Sequence, residues 1–98
     1  MTDVVVSWDL PTVSLRQKPI KHVEVHTRDD ESLPWTFQNS VLPGDVQQMI
    51  FADEPPGRHY YQAFAVDEDD VAGSPSEGIA DVPFDAPSAL VNFDVTLT

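Results

Sequence analysis

The sequence predicts an all-β fold, and three observations predict it. No window of useful length spaces its apolar residues as an amphipathic helix would. Nine prolines and four glycines interrupt the 98 residues, giving turn signals about every eight to twelve residues. The final stretch, Val91-Asn92-Phe93-Asp94-Val95-Thr96-Leu97-Thr98, alternates strictly between apolar and polar, the pattern of a strand with one buried face.

The elements follow in order. Val4, Val6, Trp8 and Leu10 alternate with Val5, Ser7 and Asp9 until Pro11, which places a first strand. Ile20 to Arg28 is a second, with Val23, Val25 and Thr27 on one face and His22, Glu24 and His26 on the other. Trp35-Thr36-Phe37 is a short third after the acidic turn Asp29-Asp30-Glu31, and Val46 to Phe51 follows the turn Pro43-Gly44-Asp45 as a fourth. Pro55-Pro56-Gly57 turns into a fifth, Tyr60 to Val66. The acidic loop Asp67-Glu68-Asp69-Asp70 leads to a sixth at Gly78 to Phe84, and residues 90 to 97 make a seventh.

Length and charge bound the class further. A chain of this length makes one domain that buries roughly two-thirds of its unfolded surface, enough for one small core. Cysteine is absent, so no disulfide or thiolate metal site supports it. Seventeen acidic residues against five basic ones give a net charge of -12, which repels phosphate backbones and anionic lipid. Neither nucleic acid nor a membrane is expected as a partner. Met1-Thr2-Asp3 leads straight into the first strand, without the basic and apolar regions of a signal peptide, so synthesis and release in the cytoplasm are expected.

Seven short strands at this spacing predict an immunoglobulin-like two-sheet sandwich. Trp8 between Val6 and Pro11, the spacing of Ile20, Val23, Val25 and Arg28, Pro56-Gly57 before a tyrosine strand, and Ala65-Val66-Asp67 before a loop together resemble the fibronectin type III family. The resemblance covers residues 3 to 84. Two departures stand out: Glu54 lies near the place of an apolar residue before the proline-glycine turn, and either His59 or Tyr60 must serve as the family's corner tyrosine. The phase of the fifth strand stays open. Tyr61, Ala63 and Ala65 face inward by alignment with the family, whereas Tyr60, Phe64 and Val66 form the more apolar face.

The family opens with a proline-led strand before the tryptophan strand. Here the tryptophan strand starts at residue 3 or 4, and the opening segment is matched instead by Ala86-Pro87-Ser88-Ala89-Leu90-Val91-Asn92-Phe93-Asp94-Val95. The resemblance thus implies a sandwich at residues 1–85 with its first strand displaced to residues 86–98. In the family the last and first strands run the same way, so the tail must travel the length of the sandwich, roughly 20 to 26 Å for six to eight residues. A connector from Asp85 to Ala89 reaches at most roughly 17 Å. The tail is therefore expected to enter the open slot of a neighbouring copy, lending it Leu90, Val91, Phe93, Val95 and Leu97 in strand addition that yields a ring or filament. The alternatives are a strand folded beside its own last strand, or one paired with another protein.

Candidate chemistry is sparse. His22 and His26 stand roughly 13 Å apart on an extended strand, too far to ligate one ion at about 2 Å, so with Glu24 they read as a solvated or interfacial face. Asp67-Glu68-Asp69-Asp70 is rich in oxygen but lacks the full calcium-loop pattern. Arg16, Lys18 and Lys21 lie at the same end of the expected fold, either compensating that acidic loop or docking onto an acidic neighbour. Trp35, Tyr60, Tyr61 and Phe64 are candidate exposed aromatics for an interface or a carbohydrate. No nucleophile turn or phosphate cradle appears, and neither an enzyme nor a cofactor is expected. The resemblance implies a structural protein, such as a tail, neck or head-decoration component of a tailed-phage virion, with an adhesion module or a cytoplasmic scaffold as alternatives.

Overall fold

The computed structural model describes residues 2–92 and 94–97. Six strands run in order: β1 (Thr2–Ser7), β2 (Ile20–Arg28), β3 (Thr36–Val41), β4 (Gln48–Glu54), β5 (Gly57–Asp67) and β6 (Ser76–Val82), with no helix among the described residues. They form two antiparallel sheets, β1-β4 and β3-β2-β5-β6. The all-β expectation holds, with two and four strands in its layers.

Polarity follows from one short connection. β4 passes into β5 through Pro55 and Pro56 alone, so these strands meet at that end and run in opposite directions. Gly57 opens β5 at φ 123°, a conformation only glycine adopts without strain. β1 is antiparallel to β4 and therefore runs with β5, while β6, antiparallel to β5, runs against β1.

The core sits where the inner faces of β2 and β5 meet the smaller sheet. Val23 and Val25 on β2, Tyr61 on β5 and Val82 on β6 are its buried apolar residues, with Val25 fully enclosed, and Val66, opposite His22 near the end of β5, is buried as well. The Tyr61 ring lies 5.0 Å from that of Phe51 on β4. This contact across the sheets fixes the phase of β5: Tyr61 and, by alternation, Ala63 and Ala65 point inward, and Tyr60 and Phe64 point outward. Tyr61, expected among the exposed aromatics, is thus a core residue.

Several boundaries differ from the sequence expectation. The first strand ends at Ser7 rather than Leu10; just beyond it the Trp8 N–H donates to the Gln47 carbonyl at 3.2 Å and its indole Nε1–H to Gln47 Oε1 at 2.8 Å. β3 extends to Val41 because Asn39, Ser40 and Val41 pair with Val25, Glu24 and Val23. β6 begins at Ser76, since its backbone pairs with Gln62 and Ala63 where the side chains give no alternation.

The largest difference is the tail. The seventh strand expected at residues 90–97 is not formed: residues 83–92 and 94–97 belong to no strand. Leu90, Val91, Val95 and Leu97 are 80%, 84%, 79% and 101% exposed; Phe93 lies outside the described residues. Alternation marks which face a strand would bury, but a strand also needs a partner's backbone, and the described residues of the tail pair with none of the chain's strands. The molecule is correspondingly long, 85 × 28 × 18 Å, with a Cα radius of gyration of 20.6 Å against about 13 Å for a compact chain of this length.

Candidate functional site

The absence of a docked tail coincides with an open cleft in the sandwich. β1 pairs with β4 along one edge, and among the described residues nothing pairs with its other edge. β6 is likewise the last strand of its sheet. Between these two edges lies a hollow of about 350 Å³ lined by Val4, Val6, Trp8, Ala63, Gly78 and Ala80, among others. Val4, Val6 and Trp8 remain only half-buried. Ala63, Gly78 and Ala80 leave room opposite them, and a Cβ placed on Gly78 would meet nothing within 4 Å. The cleft is part of a core left uncovered.

The outer face of the four-stranded sheet carries a second group of candidate residues. Glu24 accepts from both neighbours on β2, His22 Nε2 and His26 Nε2, each at 3.1 Å, and the His22 hydrogen bond, foremost, with that of His26, holds its carboxyl below the ordinary range. His26 in turn stacks on Phe64 at 5.1 Å and meets Phe37 edge-on at 5.4 Å. Both imidazoles are directed at one carboxylate, and no group of three or more His, Asp or Glu among the described residues is arranged to hold a metal ion. Beyond them, the Arg28 guanidinium sits 4.1 Å over Trp35 and 5.7 Å from Tyr60, within cation–π range. With Glu31 and Glu77 these three line a shallow surface hollow of about 420 Å³. Trp35, Tyr60 and Phe64 are therefore half-buried on one face, and Tyr61 stands apart from them on the other.

The basic cluster meets the acidic loop. Lys18 Nζ lies 3.8 Å from Asp69 and Lys21 Nζ 2.7 Å from Asp70; that contact raises the pKa of Lys21 and lowers that of Asp70. Asp67 Oδ1 accepts the N–H groups of Asp69 and Val71 at 2.8 and 2.9 Å. Carboxylates of the loop are thus engaged with lysines and backbone. Arg16 stays exposed in the turn before β2, its N–H donating to Ser14 Oγ at 3.3 Å.

His59, one of the two residues the sequence offered for the corner of the fifth strand, proves structurally engaged. His59 is buried, its Nε2–H donates to the Pro55 carbonyl at 2.6 Å, and its Nδ1 lies 3.5 Å from both Asp29 and Glu54. The adjacent Tyr61 hydroxyl is pushed up to about 12, by burial first and then by the Glu54 and Asp29 charges. The signal available in the sequence was the four-residue spacing from Pro55 across the turn.

Compared with protein-family models, with curated proteins and with solved structures, the chain matches none.

Proposed function

We propose that this chain is a non-enzymatic structural subunit that joins other proteins of a larger assembly through its sheet edges. The observation that carries the reading is the coexistence of an uncovered cleft beside the β1 edge and an undocked, strand-patterned tail in one chain. An exposed strand edge is a template for another strand, and strand addition combines backbone hydrogen bonds with pockets for alternate side chains.

The sheet order supports the fibronectin type III reading. β1-β4 facing β3-β2-β5-β6 is the order expected of such a sandwich lacking its first strand, and the cleft lies where that strand would run. His59, bonded back to Pro55, takes the part of the corner tyrosine. In this reading the tail supplies the displaced strand. The setting we propose is a tailed-phage virion, as a tail, neck or head-decoration component; its warrant is analogy of fold. Density-gradient fractionation of the native source tests it, with the protein expected among particles by mass spectrometry. Recovery as a free small protein alone would overturn it.

The hollow at Arg28, Trp35 and Tyr60 favours a second reading, an adhesion module for carbohydrate, since aromatic faces beside carboxylates suit sugar rings and hydroxyls. Glycan-array binding that is lost in Trp35→Ala would establish it, and no binding would dismiss it.

A further inference from the structure

We propose that the strand completing the cleft is the tail of a second copy of this chain, residues 90–97, laid antiparallel along the free edge of β1, so that copies join head to tail. This rests on the reading of the chain as an edge-joined subunit and names its partner.

Geometry disfavours the chain's own tail. A strand antiparallel to β1 runs in the same direction as β6, so a tail leaving Val82 must first return along the whole sandwich. β6 ends at Val82, earlier than the sequence indicated, so the connector is Pro83 to Ala89 rather than Asp85 to Ala89. Fully extended, those seven residues reach roughly 23 to 25 Å, close to the roughly 23 Å length of β6. Reversal at the end of the sheet takes the two central residues of a turn, leaving roughly 17 Å of reach.

Chemistry favours a second copy. The chain as a whole carries a charge of -12, yet residues 86–98 contain a single charged residue, Asp94, so charge repulsion opposes the approach of the tail to another acidic copy far less than it opposes the sandwich as a whole. Alternation puts Val91, Val95 and Leu97 on one face, and Gly78, Ala80 and Ala63 leave the cleft space for side chains of that size. The exposed area agrees. A folded chain of 10.9 kDa exposes about 5,600 Å², whereas this one exposes 7575 Å². The excess is of the order of a standard protein interface, about 1,600 Å².

A heterologous contact of this kind repeats until it closes into a ring or extends as a filament. The absence of cysteine allows a direct test with full-length chains. Val5, exposed on β1, is replaced in Val5→Cys, and residues of the tail's outer face in Asp94→Cys or Thr96→Cys. On mild oxidation of equal mixtures, the mixed disulfide between a β1 variant and a tail variant is expected at about tenfold excess over either like-with-like product. The doubly substituted chain is expected to form a covalent ladder, and Gly78→Leu, which fills the cleft, to suppress it. A doubly substituted monomer closed by an internal disulfide would overturn both the second-copy inference and the edge-joining reading, since tail and cleft would then satisfy each other within one chain. Cross-linking no greater than that of a control pair at Ser40 and Thr96 would overturn the second-copy inference alone, leaving the edge for a strand of another protein.

Discussion

His59 carries more of the fold than its place beside two carboxylates indicates. Its hydrogen bond to the Pro55 carbonyl ties the start of β5 to the turn that reverses the chain out of β4. His59→Ala leaves that carbonyl unpaired, and a loss of about 1–3 kcal/mol is expected, read as a lower urea midpoint. Glu24 makes a different residue-scale prediction. Its folded pKa lies below the unfolded value because His22, then His26, hydrogen-bond the carboxylate. The stability it contributes is present above the unfolded value and lost as pH falls through the folded one. Urea midpoints measured from pH 6 down to 3 should fall in that acid range, and Glu24→Gln should flatten the part that Glu24 contributes; identical profiles would contradict the assignment.

At the scale of elements, the tail is a strand without a neighbour and β1 a strand with one neighbour too few. Burying Val91, Val95 and Leu97 yields about 1.5–3 kcal/mol each, of the same order as the roughly 4–15 kcal/mol lost on association. The joint therefore depends on each side chain, and Val95→Ala should weaken association about tenfold, measurable by sedimentation equilibrium. The same elements show what the sequence could convey. β2 was legible from end to end because Val23 and Val25 alternate with His22, Glu24 and His26 and the strand is buried on one face. β5 was legible as a strand but not in phase, since Tyr60 and Phe64 on one side and Tyr61 on the other offer two aromatic faces; only the Phe51 contact from a distant element separates them. The start of β6 was hidden because Ser76 and Glu77 are held through backbone pairing that no side-chain pattern records. The tail was legible as a pattern and not as a state, because pairing depends on a partner edge. The open cleft itself needed the relative direction of β1 and β6, which a linear pattern does not carry.

The whole molecule is an acidic sandwich with an extended, nearly uncharged arm. Copies carrying -12 each repel one another over about 10 Å in 0.1 M salt, so an apolar joint between them should strengthen with ionic strength. Average mass by light scattering is expected to rise between low and high sodium chloride, opposite to the behaviour of a nucleic-acid binder. On the proposed reading, length, excess surface, the open cleft and the undocked tail are four aspects of one design, a subunit completed by its neighbour. Light scattering of the full chain across a concentration series, beside a chain bearing Val91→Asp, Val95→Asp and Leu97→Asp, tests that claim most directly. The account predicts a mass that grows with concentration for the native chain and a constant single-chain mass for the variant. A native chain that remains monomeric throughout, with the same urea midpoint as the variant, would contradict it.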